Sequence, residues 1–95
     1  MERNELQFII DTYGTKVQQD IAIEEMAELQ KAILKHRRYC SKETEQEIID
    51  EIADVEIMLE QLKIIYSCHS DVERRVEYKI DREMKRIKKK YNIAD

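Results

Sequence analysis

Residues that interrupt helices are almost absent from this chain, and this absence limits its fold more than any other feature. The 95 residues include no proline and a single glycine, Gly14. Both residue types disfavour helix interiors and are common in turns. With 40% charged and 42% apolar residues, the composition is typical of amphipathic helices. We therefore expect an all-α protein.

The apolar residues recur every three or four positions, and this spacing predicts about four helices joined by short turns. Short joints favour antiparallel neighbours, so the simplest architecture is a helical bundle. Ser41 or Thr44 is expected to cap the third helix. Thr44 and Glu47 fit the S/T-x-x-E/Q capping box, and Ser70 and Glu73 repeat the pattern before the fourth helix. The expected helices run from Glu2 to about Thr12, from about Lys16 to Arg38, from the third cap to about Tyr66, and from Asp71 to about Tyr91.

The length of the chain predicts one domain, over residues 1–95, with a modest hydrophobic core. Apolar residues also lie beside the main apolar stripe of the second helix, at Ile23, Ile33 and Leu34. We expect other copies of the chain to cover such residues, so that a homo-oligomer completes the core.

Charge and hydropathy exclude several classes of partner. The formal net charge is −4, so no global positive charge favours stable nucleic-acid binding. No apolar run approaches the roughly 20 residues that cross a bilayer, and the first residues lack the apolar core of a signal peptide. We therefore expect a cytoplasmic protein with no membrane partner. Cys40 and Cys68 fall near the ends of successive antiparallel helices, too far apart for a disulfide, and are expected to be free thiols.

Two acidic segments contain the candidate functional residues. At about 100° per residue, Glu24, Glu25 and Glu28 share one face of the second helix. Glu51 and Asp54 lie about 60° apart on the third helix. In both helices the acids interrupt apolar stripes, which consist of Val17, Ile21 and Ala32 in the second helix and Ile48, Val55, Met58 and Leu62 in the third.

Neighbouring carboxylates on a packed face are costly unless protons or a cation compensate their charge. Oxygen ligands with several negative charges suit Mg²⁺, with Mn²⁺ as a substitute, and the absence of His and Cys from the two segments argues against zinc. The alternative is that these are ordinary surface acids, since the chain contains 21 Asp and Glu residues. Composition alone favours that alternative.

The order of the two motifs favours the metal site. E-E-x-x-E followed, after a helical hairpin, by E-x-x-D resembles the signature of the MazG-like nucleotide pyrophosphohydrolases, and the matching stretch runs from about Ile23 to Val55. The resemblance implies an all-α fold, dimers or tetramers, and Mg²⁺-dependent hydrolysis of nucleoside triphosphates to the monophosphate and pyrophosphate. It implies Glu24 as a water-activating base or a ligand of another metal, and four metal ligands, Glu25, Glu28, Glu51 and Asp54.

Three basic residues are candidates for binding substrate phosphates. Lys35 lies on the second helix, and Lys79 and Arg82 share a face of the fourth. The segment Lys79-Ile80-Asp81-Arg82 resembles the basic segment of small MazG-like proteins, although solvated surface charges are an equal alternative. The rival to the enzyme is a non-catalytic helical oligomerisation or regulatory module, in which the acids face water. The sequence leaves the nucleobase, the sugar, the number of metals and the biological role open.

Overall fold

The computed structural model describes residues 1–94, which form four α-helices and no strand. The all-α prediction is confirmed. Residue 95 of the predicted single domain lies outside the described residues, and the domain assignment stays a prediction. None of the helices in the described part is both long and apolar enough to cross a membrane. The helices are α1 (Arg3–Tyr13), α2 (Thr15–Arg38), α3 (Lys42–Ile65) and α4 (His69–Tyr91).

The one glycine forms the joint between α1 and α2. Gly14 has φ 94° and ψ 150°, a backbone conformation that side chains with a Cβ rarely adopt. Its N–H donates to the carbonyl oxygen of Ile10 at 2.7 Å, which closes the last turn of α1. No atom lies within 4 Å of where a Cβ would be placed, so the backbone angle, rather than lack of space, requires glycine here.

The starts of α3 and α4 differ from the predicted capping boxes. Ser41 caps α3: its Oγ accepts from the Thr44 N–H at 3.1 Å, and Thr44 Oγ1 accepts from the Ser41 N–H at 3.1 Å. The Thr44–Glu47 box is therefore wrong, because Thr44 is already inside the helix. The Ser70–Glu73 box is also wrong, since α4 begins at His69 and its N-cap makes no side-chain hydrogen bond.

α2 and α3 form an antiparallel hairpin that contains most of the interhelical contacts. Near the turn, Lys35 Nζ lies 3.0 Å from Glu47 Oε1, and at the open end Gln19 Nε2 donates to the Tyr66 hydroxyl at 2.8 Å. α1 packs against both helices of the hairpin. Its contact with α3 forms the small apolar core, whose buried members are Leu6, Ile10 and Ile64.

α4 packs much less than the other helices. Within the described part of the chain it contacts α3 alone, and none of its residues is fully buried. The radius of gyration is 17.3 Å, whereas a compact chain of this length has about 12 Å. α4 therefore extends from the hairpin, with its apolar side exposed at Val76, Ile80, Met84, Ile87 and Tyr91.

Candidate metal centre

Three of the predicted ligands meet where α2 and α3 pack together. One carboxylate oxygen from each of Glu25, Glu51 and Asp54 lies within 4.8 Å of the other two. Glu51 and Asp54 are three residues apart and share a face of α3, and the antiparallel hairpin places Glu25 opposite them. Ligands of one Mg²⁺ at about 2.1 Å lie at most about 4.2 Å apart. Small side-chain movements would therefore bring the three oxygens to a single ion.

The electrostatics of this acidic trio favour a cation. The pKa of Glu25 is raised above its ordinary value of 4.5 by partial burial, by the charges of Asp54 and Glu51, and by hydrogen bonding with both carboxyls. Glu51 Oε2 is buried and has no hydrogen-bond partner among residues 1–94. A buried carboxylate oxygen without a partner is costly. A divalent cation would satisfy this oxygen and remove the repulsion, so the residues present fit a metal.

The other two acids of the first motif lie outside the trio. Glu28 is exposed and pairs with Lys31, whose Nζ lies 3.4 Å from Glu28 Oε1. Glu24 is also exposed. Their predicted roles as metal ligand and base stay predictions.

A recess of about 370 Å³ adjoins the trio and connects it to basic side chains. Glu51 belongs to both the trio and the recess, and Glu28 and Lys35 line the recess as well. Lys35 is thus close to the acids, as a phosphate-binding role requires. Glu47 was not among the residues predicted for the site, yet its Oε1 forms an ion pair with Lys35 Nζ at 3.0 Å. Its position one helical turn before Glu51 is the signal that identifies it.

Lys79 and Arg82 are not brought to the acids within one chain. Both lie on α4, which has no contact with α2. Lys79 is exposed, while the Arg82 guanidinium lies 5.6 Å from the centre of the Tyr78 ring. Arg82 Nε is buried, and no described residue forms a hydrogen bond with it. Their predicted contact with substrate phosphates therefore stays a prediction.

Two buried amide side chains, Gln18 and Gln61, lie on the same helix faces as the trio. Gln18 lies two turns before Glu25 on α2, and Gln61 lies two turns after Asp54 on α3; both are buried. The Oε1 atom of Gln61 has no hydrogen-bond partner in the described residues. The helical spacing of seven residues is a signal that links both amides to the acidic face.

The fold and this cluster define an all-α protein with a carboxylate site between two antiparallel helices. In comparisons with known proteins, no family model, curated protein or solved structure matches the chain. The resemblance to the MazG-like enzymes is thus carried by the two acidic motifs and the basic segment alone.

Proposed function

We propose that this protein is a Mg²⁺-dependent nucleoside triphosphate pyrophosphohydrolase, which converts a nucleoside or deoxynucleoside triphosphate to the monophosphate and pyrophosphate. The observation that supports this most is the meeting of Glu25, Glu51 and Asp54 within 4.8 Å, at the positions of the two acidic motifs. The orphaned oxygen of Glu51 gives a physical reason for a cation at that point.

In this proposal one group of residues binds the cation and another residue binds the substrate phosphates. Glu25, Glu51 and Asp54 would hold the ion, which would supply charge neutralisation and a water of lowered pKa for attack at the alpha phosphorus. Glu28 lies at the rim of the recess, where it can complete the ligand set. Lys35, in the same recess, binds the phosphates that the ion leaves uncompensated.

Glu24 is the proposed base that takes a proton from the attacking water. It is exposed on the helix that provides Glu25, so water reaches it freely. Catalytic carboxylates act through a hydrogen bond to the water they deprotonate.

We also propose that the protein works as a homo-oligomer, a dimer or tetramer, in the cytoplasm, where nucleoside triphosphates are available. The exposed apolar side of α4 supports the association, because a second copy would remove it from water. In such an oligomer, Lys79 and Arg82 of one copy could approach the acidic trio of another copy. The second candidate function, a non-catalytic oligomerisation module, rests on this same surface.

Product analysis with a panel of nucleoside triphosphates tests the proposal. With Mg²⁺ present, we expect the monophosphate and pyrophosphate from at least one nucleotide. Glu51→Gln should lower the rate at least about a hundredfold, because it removes a ligand needed in the transition state. Glu56→Gln is the matched control: Glu56 is exposed on the same helix but outside the trio. Equal rates for both variants, or no turnover by an intact oligomer, would reject the enzyme and favour the module.

A further inference from the structure

A second cluster of reactive side chains lies at the turn between α2 and α3, away from the acidic trio. Cys40 is exposed, and its Sγ lies 3.8 Å from Nε2 of His36. The other ring nitrogen, Nδ1, lies 2.7 Å from Oγ1 of Thr44, a residue that is 4% exposed. The imidazole is therefore held between a buried hydroxyl and an exposed thiol. This order of groups is the one found around activated thiols.

The contacts of Thr44 accommodate the His36 tautomer in which Nε2 is the base. Thr44 Oγ1 lies 3.0 Å from the carbonyl oxygen of Tyr39, 3.1 Å from that of Ser41 and 3.2 Å from Ser41 Oγ. Carbonyls only accept, so the single hydroxyl hydrogen can be donated to one of them. In that arrangement the hydroxyl oxygen accepts from His36 Nδ1–H at 2.7 Å, and the Nε2 lone pair faces Cys40. This is the tautomer in which His36 can act as a base towards the thiol.

The surface around the thiol is basic. Within three residues of Cys40, three exposed basic residues, Arg37, Arg38 and Lys42, outnumber one exposed acid, Glu43. Lys35, the residue before His36, forms an ion pair with Glu47 at 3.0 Å. Positively charged side chains near the thiol raise the local concentration of small anions, and salt weakens this attraction.

We propose that Cys40 is a modification site that exchanges with small anionic disulfides, with His36 as its base. The Cys40 thiol gives its proton to His36 Nε2, and the thiolate attacks one sulfur of the disulfide. An S–S bond forms to Cys40 while the original S–S bond breaks. The departing thiolate takes the proton from the imidazolium. Cys40 is oxidised to the mixed disulfide, and half of the small disulfide is reduced to a thiol, so atoms and electrons balance.

Mass spectrometry of the adduct over time tests the site. The protein used is Cys68→Ser, which leaves Cys40 as the one thiol. Glutathione disulfide is the anionic probe and cystamine the cationic one. We expect glutathione disulfide to react faster than cystamine at low salt, with the difference shrinking as salt is added. Adding His36→Gln should slow the reaction with both probes roughly tenfold.

Thr44 is a positioning residue, and its variants separate orientation from folding. Thr44→Val removes the hydroxyl that holds Nδ1 and should slow Cys40, whereas Thr44→Ser keeps the hydroxyl and should restore the rate. If Thr44→Val fails to fold, the comparison of His36→Gln with Thr44→Ser still decides the question. Equal rates with and without the His36 imidazole, or faster reaction with cystamine at low salt, would overturn the proposal.

Discussion

Glu25 ionises against the repulsion of two neighbouring carboxyls. Its carboxyl is partly buried and faces two other carboxyls, which together raise its pKa above 4.5. The folded protein therefore binds this proton more tightly than the unfolded chain does. The stability that this proton provides is lost as pH rises from about the ordinary pKa of a glutamate through the raised pKa of Glu25. Above that range the folded protein must hold an ionised Glu25 beside two other carboxylates.

The variant Glu25→Gln should consequently be more stable than the original protein in a chelator at pH 7. We expect a gain of up to about 1 kcal/mol, since water reaches the trio and screens part of the repulsion. Urea unfolding followed by circular dichroism measures it. The gain should shrink as pH falls through the raised pKa, and saturating Mg²⁺ should reverse it by stabilising the original protein. A less stable variant in chelator at pH 7 would contradict this account.

The structure brings Glu25 to Glu51 and Asp54 but leaves Glu24 and Glu28 outside the trio. Glu51 and Asp54 share a face because their spacing is a local property of α3. The exposure of Glu24 and Glu28 depends instead on the narrow contact between α2 and α3, where Glu25 alone among the three is half-buried. That contact is a tertiary property, so spacing within one helix does not determine it.

At the scale of the helices, the start of α3 shows why capping patterns alone were ambiguous. Residues 41, 44 and 47 offer two overlapping patterns, and both place a polar residue three positions after Ser or Thr. The structure selects Ser41, because its extended backbone lets Oγ reach the Thr44 N–H at 3.1 Å. At α4 the pattern at Ser70 goes unused, since the helix already begins at His69.

Matched serine substitutions test these assignments. Ser41→Ala should lower the free energy of unfolding by about 1 kcal/mol, since the Thr44 N–H loses its partner. Ser70→Ala should change it by less than about half as much, because Ser70 lies inside α4 and caps nothing. Urea unfolding of both variants provides the comparison. Equal losses would show that Ser70 caps α4 in solution.

At the scale of the whole molecule, the main feature is that α4 packs much less than the other three helices. The composition predicted that the chain would be helical, and the apolar spacing predicted where α4 lies to within two residues at its start. It did not predict that α4 would touch α3 alone. Periodicity identifies an apolar side but not the surface that covers it, which in an oligomer belongs to another copy.

Disrupting the apolar side of α4 should therefore dissociate the protein. Sedimentation of the original protein should give a dimer or tetramer, and Ile80→Glu should shift it towards the monomer by placing a charge in the contact. Ile49→Glu is the control: Ile49 is similarly exposed, but on α3. A compact monomer for the original protein, or dissociation by Ile49→Glu alone, would contradict the assignment of this surface.

The central claim, that the trio holds a divalent cation, is tested most directly by Mn²⁺ binding. Electron paramagnetic resonance of free Mn²⁺ during a titration counts the ions that the protein removes from solution. We predict binding by the original protein and by Glu56→Gln, competition by Mg²⁺, and loss of binding in Glu51→Gln. Unchanged binding in Glu51→Gln, or no binding by the original protein, would contradict the account.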